Sequence, residues 1–268
     1  MTPTGGHGDI NGFALDVMHQ FASTSACDGP AECRESVRTL IRGGADVIKI
    51  TATGGVLSDT AAGVERQFFT DELESIVEAA HMMGRRVTAH AHGVTGINAF
   101  LEAGGDSIEH GTYLNNESIR LFRRNGAYLV PTVLAGVTVA ELAETTDFMT
   151  PNQRRKSLEV GRNMLDMIRR AHDGGVMIAF GTDSGVSRHG DNAREFELYV
   201  EAGMSPMDAI VTATINASTH LQMEDDIGTL EAGKFADIVA VDGNPLENIS
   251  ELRDIDFVMQ GGRVHLSE

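Results

Sequence analysis

The sequence predicts an α/β protein built on a parallel β-sheet. Short apolar runs with the character of strands alternate with longer segments of helical periodicity, which is the pattern of repeated βα units. The length of 268 residues is enough for one barrel-type domain. The hydrophobic and charged contents, 41% and 22%, are those of a folded globular protein.

Apolar runs bounded by turn residues give the predicted strands of this sheet, and helical segments separate them. The predicted strands cover residues 46–51, 86–91, 107–111, 127–132 and 177–182. The segment 71–84 is the clearest helix, because Leu73, Ile76 and Val77 share one stripe and Thr70 can serve as the N-cap. Further helices are predicted at residues 30–43, 94–103, 117–125, 151–174 and 205–217.

The pattern changes after Leu221, so the predicted barrel domain covers residues 1–222 and a C-terminal β segment covers residues 223–268. A strand is predicted at 237–241, and a hairpin at 257–266 turns at Gly261 and Gly262. Residues 228–234 match the G-x-x-x-x-G-K pattern of a phosphate-binding loop. Phe235 occupies the position that needs Ser or Thr and a strand follows, which argues against a nucleotide site.

Composition limits the expected partners and location. The chain carries 39 acidic and 21 basic side chains, a formal charge of -18, which repels phosphate backbones and anionic lipids. Neither nucleic acid nor a membrane is therefore an expected partner. No apolar run approaches the roughly 18 residues of a membrane span and the start carries no leader pattern, so a cytoplasmic location is expected. Cys27 and Cys33 are close enough for a local disulfide, but free thiols are the favoured interpretation.

Lys49 occupies a predicted strand between Ile48 and Ile50, where a buried ammonium group is costly. Carboxylation of its amine would give a carbamate, an anionic oxygen ligand that can bridge two cations. The position of Lys49 therefore indicates a metal ligand.

Three histidines and an aspartate follow at the ends of later predicted strands. His90 and His92 are two residues apart and share a face, and His110 ends the next strand. A lone histidine is usually a satisfied core residue, whereas this series is predicted to meet where parallel barrel strands end. Asp183, after the last apolar strand, is a candidate both for metal binding and for proton transfer to the leaving amine.

Two further histidines, His7 and His189, lie in glycine-rich loops and either reach the substrate or belong to plain turns. The chain has no G-x-S-x-G elbow, no H-E-x-x-H helix and no G-x-G-x-x-G turn, so no other common catalytic motif competes with the metal interpretation.

The chain resembles the amidohydrolase superfamily, in particular its imidazolonepropionase-like and Xaa-Pro dipeptidase-like branch. The resemblance extends almost end to end and is carried by TGGHGD, GADVIKITATGGVLSD, VTAHAHG, DSIEHGTYL, YLVPT, FGTDSGV, AGMSPMDAI, GKFADIVAVDGNPLENI and VMQGGRV. It implies a (β/α)₈ barrel with a zinc centre of one or two ions and a small β-sandwich built from both chain ends.

The resemblance also implies individual roles. Lys49 matches a carboxylated, bridging lysine, while His90 and His110 match imidazole ligands of successive strands. Asp183 matches the ligand and base of the last strand, and His92 matches a histidine that either supports the metal ligands or faces the substrate. In the expected mechanism, His92 helps to stabilise the developing oxyanion. Three residues resemble substrate contacts: Tyr113, Arg188 and His189.

One departure from the family pattern concerns the start of the barrel. The H-x-H of the first strand is absent, because the chain begins near the end of what matches the third strand. The barrel is thus expected to lack its first strands, and the chain is expected to be a piece of a longer enzyme. A complementing chain or a homo-oligomer that closes the sheet is the alternative.

The expected activity is zinc-dependent hydrolysis of an amide bond in small peptides or N-acyl amino acids by an activated water. Alternatives are a cyclic-amide hydrolase or a deaminase of the same superfamily. A catalytically silent fragment that acts as an assembly subunit is the alternative outside enzymes.

Overall fold

The computed structural model describes residues 1–9, 26–59 and 63–267. Its main sheet has five parallel strands in the order β1-β2-β3-β4-β5, so each strand pairs with its neighbour in the sequence. The strands are β1 (Val47–Thr51), β2 (Arg86–Ala91), β3 (Ser107–His110), β4 (Tyr128–Val130) and β5 (Met177–Ile178). The predicted α/β class is confirmed, and the open parallel sheet is consistent with part of a (β/α)₈ barrel.

Helices connect these strands and cover one face of the sheet. They are α1 (Pro30–Arg42), α2 (Thr70–Met82), α3 (Val94–Glu102), α4 (Asn116–Asn125), α5 (Val133–Thr145), α6 (Pro151–Asp173), α7 (Arg194–Glu201), α8 (Pro206–Ala213) and α9 (Ile215–His220). The sequence predicts neither α5 nor α7, and the helix predicted at 205–217 is divided at Thr214. The N-cap of α2 is Phe69 rather than Thr70, because the Glu72 carboxylate accepts the Phe69 N–H.

The core lies between the main sheet and its helices. Ile48 and Ile50 of β1 and Val87 of β2 point toward the helices and are at most 1% exposed. Because successive side chains alternate across a strand, Lys49 and His90 lie on the opposite face. The parallel register brings the carboxyl ends of neighbouring strands to one edge, and this edge carries the candidate site.

A second, antiparallel sheet forms the C-terminal region. It contains β6 (Ile238–Ala240), β7 (Phe257–Gln260) and β8 (Arg263–Ser267), with a 3₁₀ helix (Ile249–Arg253) before β7. The predicted strand and hairpin are confirmed, while the domain division at residue 222 stays a prediction. Within the described ranges, no helix combines the length and the apolar character that crossing a membrane requires.

The two cysteines are joined, so the expectation of free thiols is wrong. Cys27 and Cys33 form a disulfide with their Cα atoms 4.9 Å apart. The cause is local: α1 begins at Pro30, and its first turn brings Cys33 back beside Cys27. Both side chains are at most 1% exposed.

Candidate metal and active site

Three imidazoles meet at the carboxyl edge of the main sheet. His90 is the last but one residue of β2, His92 directly follows this strand, and His110 ends β3. One ring nitrogen of each lies within 4.8 Å of those of the other two, which is close enough for a shared cation. The stacked rings of His92 and His110 have centroids 4.7 Å apart. The cluster predicted from strand-end positions is thus formed, and it includes His92.

Hydrogen bonds fix the orientation of these rings. Nδ1 of His92 lies 2.8 Å from the Thr112 hydroxyl, and that hydroxyl donates to Sδ of Met164. The Thr112 oxygen therefore accepts from Nδ1–H, which leaves a lone pair on Nε2 of His92. Nε2 of His90 lies 3.4 Å from the Gly54 carbonyl, so Nδ1 of His90 is its other, open nitrogen.

His110 is oriented through an unusual stretch of backbone. Its Nδ1 lies 2.6 Å from the Thr132 hydroxyl, and Nε2 keeps its lone pair when this hydroxyl accepts the Nδ1–H. Both residues have left-handed backbone angles, with φ of 72° at His110 and 48° at Thr132. Such angles are rare outside glycine and are frequent at functional sites.

The imidazoles are held in the neutral form that binds metals. Burial lowers the pKa of His92 to about 3, with further lowering by the charges of His7 and Lys156. Burial also lowers the pKa values of His90 and His110 well below the usual range, and their neighbouring imidazoles act in the same direction. Neutral rings at physiological pH keep lone pairs available for a cation.

Asp183 lines the same pocket as the three histidines. Its φ of 52° is left-handed, and it lies five residues beyond β5 because the chain leaves the sheet after Ile178. Partial withdrawal from water raises the pKa of its carboxyl, Lys49 lowers it, and Glu109 raises it. A raised pKa brings a carboxylate closer to the range useful for proton transfer.

Lys49 is not buried, which corrects the premise from which its role was predicted. Its side chain is 49% exposed and forms an ion pair with Glu109. The reason is strand alternation: Ile48 and Ile50 fill the helix-facing core, whereas Lys49 lies on the opposite, open face. Its charge still lowers the pKa values of His90 and His110, so it lies near the cluster. Its role as a carboxylated ligand stays a prediction.

His7 is a fourth imidazole in this pocket. Its ring centroid lies 4.4 Å from that of His90. The ring packs directly on Gly55, where a Cβ atom would lie 2.0 Å from Cε1 of His7. A glycine at position 55 is thus required for the close approach of this ring. Of the two interpretations of the GGHGD loop, contact with the site is the one that the structure supports.

The predicted substrate contacts take different positions. Tyr113 is half-buried, and its N–H donates to the His92 carbonyl at 3.0 Å, which places it beside the cluster. Arg188 and His189 are exposed in the loop after Asp183. None of these three side chains is among the described residues that line the pocket, so their roles stay predictions.

The pocket has a polar floor and an apolar wall. It encloses about 530 Å³, including its open mouth. The floor consists of the four imidazoles and Asp183. The wall is formed by residues of the loop after β1, of α5, of α6 and of the loop after Asp183: Val56, Leu57, Ala135, Gly136, Val139, Val160, Met164 and Val186.

A buried lysine anchors the loop that forms part of this wall. Lys156 of α6 is 2% exposed and donates to the carbonyls of Gly55, at 2.7 Å, and Ser58. Sequence analysis did not single it out, and it did not identify Thr112, Thr132 or Glu109. Each of these residues acts through a partner far away in the sequence, so no local motif signals them.

Comparisons with known proteins agree with this geometry. A match to the amidohydrolase family covers residues 8–265. The ochratoxinase of Aspergillus niger is 34% identical over 98% of this chain and 58% of its own length. A solved Xaa-Pro dipeptidase with methionine in its active site superposes with a TM-score of 0.93, at 43% identity over 99% of this chain and 66% of its own. A prolidase complexed with N-methylphosphonate-L-proline gives 0.89 at 30% identity, over 100% of this chain and 68% of its own.

The chain belongs to the amidohydrolase family, as its motifs predicted. It spans 58% to 68% of the length of these relatives.

Proposed function

We propose that this chain carries the amide-hydrolysing centre of a metal-dependent hydrolase that acts on small peptides or N-acyl amino acids. The observation that carries the proposal is the convergence of His90, His92 and His110 in one pocket with Asp183. The dipeptidase, prolidase and ochratoxinase likenesses support the amide substrate class.

The donor set fits a divalent cation. Three neutral imidazoles, two buried and one partly buried, lie around one point, and the hydroxyls of Thr112 and Thr132 hold two of them through the second nitrogen. Imidazole ligands suit zinc, which we propose as the native metal. When bound, the cation would supply a Lewis acid for the amide carbonyl and would acidify a water molecule.

The protein's own residues have separable tasks in this proposal. Asp183, which lies beside the imidazoles in the pocket, takes the proton of the attacking water and delivers it to the leaving nitrogen. The lone pair on Nε2 of His92 favours binding to a cation over donation to an oxyanion. The apolar wall from α5 and α6 takes an apolar side chain or acyl group of the substrate.

Metal analysis and a substrate panel test the proposal. The purified chain is loaded with Zn²⁺ and assayed against N-acyl amino acids and dipeptides with apolar or charged side chains, and against cyclic ureides. His110→Asn serves as the matched variant. Release of amino acid from apolar substrates, lost in the variant, supports the proposal. A folded chain that takes up no zinc would favour a silent subunit, and turnover of cyclic ureides alone would favour the cyclic-amide alternative.

The disulfide provides an argument about the cellular compartment in which the protein resides. Cys27 and Cys33 are joined in the structure, and structural disulfides persist mainly in oxidising compartments. We therefore propose an oxidising compartment in place of the cytoplasm expected from the sequence. Thiol labelling of the protein in intact cells tests this, because cytoplasmic protein would label at both cysteines.

A further inference from the structure

The Thr132 hydroxyl could either cap helix α5 or bind the His110 imidazole, and it does only the second. Thr132 occupies the N-cap position of α5, where a threonine hydroxyl ordinarily accepts an N–H of the first turn. No such bond is formed here, because the hydroxyl is bound to Nδ1 of His110. Thr132 is also β-branched and left-handed, a backbone state that costs about 1–3 kcal/mol. Some other group must therefore hold this turn.

Glu195 of α7 is that group. Its side chain is 0% exposed, and its two carboxyl oxygens accept the N–H groups of Val133 at 2.7 Å and Leu134 at 2.6 Å. These are the first two amides of α5, which lack partners within the helix. Glu195 thus caps α5 from a distance, and the hydroxyl of Thr132 is left for His110.

The segment that carries Glu195 also supports a second part of the site. Asn192, three residues earlier, donates through Nδ2 to the hydroxyls of Thr182, at 2.8 Å, and Ser184, at 2.9 Å. These hydroxyls flank Asp183, the other left-handed residue of the pocket. One short segment therefore supports the backbone at both the His110 and the Asp183 side.

We propose that Glu195 is a positioning residue of the metal centre: by capping α5 in place of Thr132, it fixes the His110 imidazole with Nε2 open to the cation. This inference rests on the proposed function for the identity of the bound species, and on the structure alone for the orientation of His110. Removing one of these acceptor oxygens would return the Thr132 hydroxyl to the helix and release the ring. Outer partners of this kind typically change metal affinity by about 10–100-fold.

The chain offers a matched control. Glu72 is also a buried carboxylate, 4% exposed, that accepts two backbone N–H groups, from Phe69 at 2.7 Å and Gly29 at 2.6 Å. None of these three residues lines the pocket. Glu195→Gln and Glu72→Gln therefore both remove one acceptor of backbone N–H groups at helix N-termini, and they differ in their connection to His110.

The experiment measures the dissociation constant for Zn²⁺ by chelator competition, well below the unfolding midpoint of each variant. Glu195→Gln is expected to weaken Zn²⁺ binding at least about tenfold, and Glu72→Gln to leave it unchanged. Thr132→Val should reproduce the loss and Thr132→Ser should restore wild-type affinity, which keeps the test valid even where Glu195→Gln does not fold. Equal affinity in Glu195→Gln, Thr132→Val and wild type would overturn the proposal.

A second measurement separates this inference from the proposed function. In the metal-free chain, the ring ¹⁵N signals of His110 report its hydrogen bond directly. They should shift in Glu195→Gln and Thr132→Val but not in Glu72→Gln. A wild-type chain that binds no zinc would refute the proposed function, whereas unshifted His110 signals would refute the role of Glu195.

Discussion

The buried carboxyl of Glu195 makes a prediction about stability that can be worked out from its surroundings. Burial raises its pKa from the usual 4.5 to about 8, although the N–H groups of Leu134 and Val133 act in the opposite direction. The folded protein therefore binds a proton at this site more tightly than the unfolded chain does. The contribution of this group to stability is full below pH 4.5 and is lost as the pH rises through about 8.

The size of the effect follows from the two pKa values. A difference of about 3.5 in pKa corresponds to about 5 kcal/mol, at about 1.4 kcal/mol for each pH unit inside the window. Histidines with lowered pKa values act with the opposite sign, because their unfolded forms bind protons more tightly. The contribution of Glu195 must therefore be obtained as the difference in the free energy of unfolding between the wild type and Glu195→Gln, because this variant retains every other titratable group.

Urea unfolding of both proteins, followed by circular dichroism between about pH 5 and pH 8.5, gives that difference. The stability advantage of the wild type over Glu195→Gln should decrease steadily by about 1.4 kcal/mol per pH unit across the middle of this range. The glutamine amide cannot accept the second N–H, so a constant offset of about 1–3 kcal/mol is expected in addition. A difference that does not change with pH would show that Glu195 is ionised in the folded protein and would refute this reasoning.

Three further perturbations test other parts of the structure. Replacing Cys27 and Cys33 together by serine should lower the free energy of unfolding by about 2 kcal/mol, because the unfolded chain regains the entropy of the short loop that the disulfide closes. Alkylation of both thiols in the unreduced wild type would show that the disulfide is absent. Lys156→Met should speed amide hydrogen exchange across residues 54–58, because two carbonyls of that loop lose their hydrogen-bond donor. The control Lys234→Met removes an exposed lysine hydrogen bond in the C-terminal region and should leave the exchange of residues 54–58 unchanged. Asp183→Asn should reduce kcat on the order of 10²-fold with an unchanged thermal midpoint, and unaltered turnover would remove its role in proton transfer.

The parallel sheet could be predicted because its signal is local. Strands buried against helices need continuous apolar runs, and these runs placed β2 at the residues observed. The prediction of β5 was too long: after Ile178 the chain leaves the sheet, and the Phe180 N–H donates to the carbonyl of Thr212 instead of to a strand. This change of hydrogen-bond partner depends on a helix far along the chain, so the local periodicity of the sequence does not reveal it.

The helices that were not predicted lack the usual signals at their start. α5 follows a left-handed threonine whose hydroxyl is used elsewhere, and its many apolar residues are buried on several sides, so it shows no clear stripe. α7 follows Ala193, which cannot cap a helix with its side chain. In both cases the N-terminus depends on contacts that form only in the folded protein.

The residues of the site also fall into some that the sequence predicts and others that it does not. His90 and His110 could be predicted, because the parallel register places the ends of neighbouring strands together. The groups that orient them could not: Thr132 is 22 residues from His110, and Glu195 is 62 residues from Val133. A hydroxyl or a carboxylate becomes a positioning group only through such a distant partner.

The backbone angles link this site to the stability of the fold. Among the described residues, four that are not glycine have positive φ, and three of them, His110, Thr132 and Asp183, belong to the pocket or its support. At about 1–3 kcal/mol each, their combined strain is comparable with a substantial part of a domain's net stability. Strain of this size persists only where surrounding bonds determine the conformation. Glu195 and Asn192 supply those bonds, so the same few contacts that shape the candidate site also offset the free-energy cost of its strained backbone.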